Sequence, residues 1–169
     1  MIKSICLILS MFSSIDECKL YAELPKYNTI VTDSELIDNL SATHIKVFGY
    51  HPNINRINMA WAQIAFENGR GSHIYNYNLG NIGLSDKFGI RPHYLVSGSK
   101  FLSFPSLQAG SVAYWETLKN MCSNALPYFD NGDALGASHA LKKCGYYRAD
   151  LDFYSRNLKL LFWEQSFKK

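Results

Sequence analysis

The sequence predicts an α+β chain, mostly helical, with one small sheet inserted after the second helix. Three observations carry this. Apolar residues recur at helical spacing in five separate stretches. Capping residues and glycines fall at the ends of those stretches. Between about residues 72 and 104 the helical period gives way to Asn- and Gly-rich turns and one short alternating run, 100–104.

The first helix starts at Thr32 or Asp33, whose side-chain oxygens can accept from first-turn amides. Leu36, Ile37, Leu40 and Ile45 form its stripe, and it ends near Gly49, before Pro52. The stretch 19–31 ahead of it reads as an irregular lead-in containing Pro25. The second helix runs from Ile54 to Phe66 with Ile57, Ala60, Trp61 and Ile64 on one stripe. Ala60, Ala62 and Ala65 make it slim, which suits a helix at the centre of a core. Two glycines in Glu67-Asn68-Gly69-Arg70-Gly71 break it. A third helix follows Pro105 with Ser106 as its cap and Leu107, Val112, Tyr114, Trp115 and Leu118 as its apolar surface. A short segment covers Ala125–Phe129. A further helix from Asp133 to Lys143 stops at Gly145, and the last spans Leu151–Phe167 with Leu158, Leu161 and Phe162 inward.

The bulk numbers set limits. The 169 residues, 47% hydrophobic and 18% charged, suit one domain with a real core. We read 18–169 as that domain and 1–17 as an N-terminal segment. The latter has Lys3, then the apolar run Ile5-Cys6-Leu7-Ile8-Leu9-Ser10-Met11-Phe12. It reads either as a secretory leader without an Ala-x-Ala cleavage site or as an ordinary first helix, and it is too short to span a bilayer. The net charge is +3, with Lys168 and Lys169 the sole terminal basic pair and no Lys/Arg block. Nucleic-acid binding is not indicated. A mild positive charge suits an anionic polymer such as a bacterial wall. Aromatic residues reach 14%; most of them pack in the core, though the same rings also line carbohydrate clefts.

Cys6, Cys18, Cys122 and Cys144 contain no CxxC and no zinc spacing. The expectation is buried free thiols, with a Cys122–Cys144 bridge as the alternative if the chain is exported. A thiol peptidase would need Cys122 beside His139, but nothing around Cys122 is electropositive or glycine-rich. Asp130, Asn131 and Asp133 around Gly132 do not have calcium-loop spacing. No metal or other cofactor is expected. The five histidines are scattered; His73 and His93 flank the turn-rich segment.

Glu67 carries the chemistry. A glutamate at a helix end is ordinarily solvated, but this one follows Trp61, Gln63, Ile64 and Phe66. Loss of hydration disfavours the carboxylate, so its pKa should rise and leave a proton to donate near neutral pH. Glycosidic cleavage needs such a donor at the departing oxygen. The glycines after Glu67 allow close approach of backbone to a ligand. The Asn side chains at 76, 78 and 81 can hold acetamido and hydroxyl groups.

The ordered set Ala62-Gln63-Ile64-Ala65-Phe66-Glu67-Asn68-Gly69-Arg70-Gly71-Ser72, then Asn76-Tyr77-Asn78-Leu79-Gly80-Asn81-Ile82, then Phe101–Ser106, then Gly145-Tyr146-Tyr147-Arg148-Ala149-Asp150 resembles the bacterial glucosaminidase family. These are wall hydrolases that include the flagellar rod-cap enzyme and many autolysins. The likeness covers about residues 55–162. It implies a lysozyme-like fold with a small hairpin lobe, peptidoglycan glycan strands as substrate and Glu67 as general acid. It also implies that Tyr147, or Tyr146 beside it, lines the cleft. Gln63, Ser72, Asn78 and Tyr114 are the further expected substrate contacts. Asp86, in the loop Gly83-Leu84-Ser85-Asp86-Lys87-Phe88-Gly89, is the candidate second carboxylate. Muramidases and lytic transglycosylases share the fold and the glutamate, and a wall-binding protein without catalysis is the third reading. A monomer outside the cytoplasm, with no membrane span, completes the expectation.

Overall fold

The computed structural model describes residues 22–83, 94–96 and 101–168. Strand β1 is Ala22–Leu24 and is followed by helices α1, Asp33–Phe48, and α2, Ile54–Glu67. Strands β2, Tyr94–Val96, and β3, Leu102–Ser103, come next. Helix α3 is Leu107–Met121; a 3-10 turn at Ser123–Ala125 leads to α4, Leu126–Asp130. Helices α5, Ala134–Lys143, and α6, Leu151–Phe167, close the chain. The molecule is mostly helical with one small sheet.

Each long helix begins where its cap residue stands. Thr32 accepts from the Glu35 amide while the Glu35 side chain reaches back to the Thr32 amide, a complete capping box. Asn53, Ser106, Asp133 and Asp150 accept from first-turn amides of α2, α3, α5 and α6. Gly49 ends α1 at φ 82°, in the left-handed region where a side chain is disfavoured.

The sheet differs from expectation. Its order is β1-β2-β3, with β1 parallel to β2 and β2 antiparallel to β3. The strand β1 lies in the stretch expected to be irregular, so the sheet draws on chain from before α1. Asn76 explains how a short lead-in is held. Its Nδ2 donates to the Pro25 carbonyl and Ser103 Oγ, and its Oδ1 accepts from the Tyr27 amide.

Helix α2 is the centre. Residues Arg56 to Ala65 are all buried, as expected of a helix covered on every side. It packs on α6, α4 and α1, while α1 also packs on α3, and α5 on α6. Trp61 and Trp115 fill the interior and place their indole N–H groups on Asp33 Oδ1 and the Leu40 carbonyl.

Buried charge appears at Arg56, which no apolar pattern could announce. Its guanidinium donates to both oxygens of Asp130 and to the Tyr50 hydroxyl. A further N–H meets His44 Nε2 at 2.9 Å. A guanidinium only donates, so Nε2 accepts; the ring proton then sits on Nδ1 and points at the Tyr50 carbonyl, 3.0 Å away. Asp130 is therefore an ion-pair partner, and Asp133 is a helix cap.

Burial and the Arg56 charge lower the His44 pKa from 6.5, against opposing contributions from the Tyr50 carbonyl and Asp130. A depressed folded pKa gives stability that is present above 6.5 and lost as pH falls through the folded value. Urea unfolding between pH 7 and 5 should therefore show falling stability with proton uptake. His44→Gln should remove that component; an unchanged pH slope in this variant would contradict it.

Cys122 and Cys144 are joined by a disulfide with Cα atoms 5.4 Å apart. This corrects the expectation of free thiols. Sequence spacing alone does not show that the ends of α3 and α5 converge. The bridge consumes the Cys122 sulfur, so its pairing with His139 as a peptidase nucleophile is removed.

Candidate active site

Helix α2 ends at Glu67, and Asn68 closes it with its amide on the Ile64 carbonyl. Gly69, Arg70 and Gly71 then take φ of 56°, 58° and 80° in succession, turning the chain sharply away. Arg70 tolerates this conformation while its guanidinium pairs with Glu164 on α6. The carboxyl is left at the edge of the core, partly buried.

The loop that follows comes back across the end of α2. It is held by three more left-handed residues, Asn76, Tyr77 and Asn81. Gly110 on α3 makes room for it: a Cβ there would sit 1.9 Å from the Tyr77 carbonyl oxygen. Asn81 lands against Glu67, its Nδ2 donating to the Glu67 carbonyl at 3.0 Å. Gly80 accepts from the Tyr146 hydroxyl at 3.2 Å, and a Cβ at Gly80 would come within 2.5 Å of that oxygen. Asn81 and Tyr146 also border a recess of ≈ 160 Å³ with Gly80, Ile82, Gly83, Thr117 and Gly145.

Tyr154 on α6 reaches the carboxyl itself, its hydroxyl donating to Glu67 Oε1 at 3.1 Å. Gln63, one turn back on α2, accepts from the Tyr114 hydroxyl at 2.6 Å. Burial raises the Glu67 pKa from 4.5, and hydrogen bonding to Tyr154 and Asn81 opposes it. Burial also lifts Tyr114, Tyr146 and Tyr154 well above the ordinary phenol range, with the Glu67 charge adding to it. The result is a carboxyl biased toward its acid form among neutral donors.

Several expected contacts lie elsewhere. Asn78 is buried and its amide is used up: Oδ1 accepts from the Ile82 amide, and Nδ2 donates to the Ile82 and Leu102 carbonyls. It clamps the loop and has no donor left for a ligand. Ser72 is exposed and donates to the Gly69 carbonyl, apart from the Glu67 cluster; His73 is exposed beside it. Tyr114 and Gln63 are wholly buried behind the carboxyl. Asp86 and His93 lie outside the described residues. Among the described residues no group of three or more His, Cys, Asp or Glu side chains forms a metal site.

Tyr147 is the clearest correction. Its ring stacks on Tyr154, centroids 3.5 Å apart and planes within 4°. Its hydroxyl donates to the Ser138 carbonyl at 3.0 Å, and burial pushes its pKa up to about 12. Of the two adjacent tyrosines it is Tyr146 that borders the recess, while Tyr147 stacks behind Tyr154. Tyr147→Phe should cost about 1 kcal/mol, or roughly 2–4 °C in Tm, for one lost hydrogen bond. Turnover should be unchanged, measured on the same preparation by melting and by wall lysis.

Tyr154 and Asn81 are the residues that the motif reading did not place at the carboxyl. A signal for Tyr154 exists in the sequence: it stands at i, i+4 and i+7 spacing with Leu158 and Leu161 on the inward face of α6. Comparisons of the chain with protein-family models, with curated proteins and with solved structures find no significant match.

Proposed function

We propose that this protein is a glycoside hydrolase acting on peptidoglycan glycan strands, with Glu67 as general acid on a lysozyme-like fold. The observation that carries the reading is the Glu67 carboxyl: it closes a buried helix, its pKa is raised by burial, and its described neighbours are uncharged hydrogen-bond donors. An acid of this kind can protonate the departing sugar oxygen as the glycosidic bond breaks. The ordered resemblance to the bacterial glucosaminidases supplies the substrate class and the bond next to N-acetylglucosamine. The Cys122–Cys144 bridge supports an oxidising location outside the cytoplasm. Among the described residues no helix is long and apolar enough to cross a membrane.

A second reading has its own support. Tyr154 and Asn81, the described groups that hydrogen-bond to Glu67, carry no charge. That pair is compatible with a single-glutamate route in which the substrate's acetamido or hydroxymethyl group assists, as in a lytic transglycosylase. Mass spectrometry of products from purified peptidoglycan separates the readings. N-acetylglucosamine reducing ends are expected for the first. N-acetylmuramic acid reducing ends or 1,6-anhydro products would move the assignment to the second. An absence of products from folded protein would sink both and leave a wall-binding role.

A further inference from the structure

A file of polar groups runs behind Glu67, between α2, α3 and α6. Gln63 is wholly buried, and its Oε1 accepts from the Tyr114 hydroxyl. That bond turns the amide so that its nitrogen faces away from Tyr114. Gln63 Nε2 is buried without a hydrogen-bond partner among the described residues. Tyr154 sends its one hydroxyl proton to Glu67 Oε1.

The Tyr154 ring has little choice of direction. Tyr147 lies flat against it at 3.5 Å, and Phe66 meets it edge-on with centroids 4.9 Å apart. Among the described residues, the other groups facing the carboxyl are Asn81 from the loop after α2 and the Tyr146 and Tyr114 phenols, all neutral. Tyr154 thus donates to a defined oxygen from a fixed position.

We infer that Tyr154 is the positioning residue of Glu67: it keeps Oε1 as a committed acceptor so that the acid proton is carried on Oε2, and the stack on Tyr147 holds Tyr154 in place. This rests on the reading of Glu67 as a general acid. A carboxyl whose two oxygens are told apart presents its proton along one line, which is what a donor to a single glycosidic oxygen requires.

The test follows the Glu67 side-chain carboxyl by carbon-13 NMR through a pH titration. Tyr154→Phe keeps the ring and removes the donor. The Glu67 pKa should rise further, and the alkaline limb of the kcat/KM profile should move up with it. The kcat should fall about tenfold at constant KM, as for an interaction that acts in the transition state. Tyr147→Phe, which keeps the stack and loses only the Ser138 bond, should leave it in place. If Tyr154→Phe folds poorly, 3,5-difluorotyrosine at 154 keeps the shape and strengthens the donor, and the Glu67 pKa should then fall. An unmoved Glu67 titration in both Tyr154 variants, or an equal shift in Tyr147→Phe, overturns the inference. The titration needs no turnover. If wild-type protein releases no glycan product, the hydrolase reading fails while the NMR result still decides the role of Tyr154.

Discussion

Glu67→Gln is expected to abolish wall cleavage, lowering the rate by about a hundred- to ten-thousand-fold, the usual worth of a general acid. The glutamine keeps the shape of the side chain and still accepts from Tyr154. It has no proton to give. The same substitution has a sign of its own in stability. A carboxyl whose folded pKa is raised above 4.5 contributes stability that is full below 4.5 and is lost as pH rises through the folded value. The substituted amide does not titrate, so the variant should escape that loss and match or exceed wild type at neutral pH. Turbidity loss of purified walls measures the first effect, and urea unfolding at about pH 4.5 and about pH 7.5 measures the second. A variant that lyses walls at near wild-type rate would remove Glu67 from the chemistry. A variant that is inactive and also much less stable at neutral pH would mean that the carboxylate is structural.

Removing the Cys122–Cys144 bridge is expected to have the largest effect on stability. The bridge closes a loop with a sequence separation of 22. Loop-closure entropy for that size gives about 3 kcal/mol, or roughly 6–12 °C in Tm for a chain of this length. The bridge also pins the chain immediately before Gly145 and Tyr146, which border the recess also lined by Asn81, the donor to the Glu67 carbonyl. Cys122→Ala with Cys144→Ala, or wild type under dithiothreitol, should therefore melt lower and lose activity before it unfolds. A thermal scan with and without reductant reads the first, and lysis assays below the new midpoint read the second. Equal melting curves with and without reductant would show that the bridge contributes nothing.

The helices were legible in the sequence because the physics that makes them is local. Thr32 with Glu35, Ser106 and Gly49 cap by contacts within a few residues, and Leu158, Leu161 and Phe162 mark the inward face of α6 by period alone. Glu67 could be singled out for the same reason, since an apolar helix that ends on a carboxyl predicts dehydration. The strand β1 could not, because three residues carry no period and gain their structure only by pairing with β2. Asn78 and Tyr147 were misplaced for a related reason. A polar side chain in a turn-rich segment looks available until its partners are known, and those partners are the Leu102 carbonyl and the Ser138 carbonyl.

By itself the sequence determined the helical plan, the exit of α2 at Glu67 and the bias of that carboxyl toward its acid form, all of which depend on neighbours along the chain. Tertiary structure alone decided which tyrosine meets the acid. Tyr154 is 87 residues from Glu67 and Tyr147 is nearly as far. Tyr154 is carried on α6 and donates to the carboxyl, while Tyr147, in the connection between α5 and α6, is stacked behind it. Tertiary structure likewise joined Arg56 to Asp130 and Cys122 to Cys144. Long-range pairs such as these form only where packing brings two surfaces together, and no local pattern records which surfaces will meet.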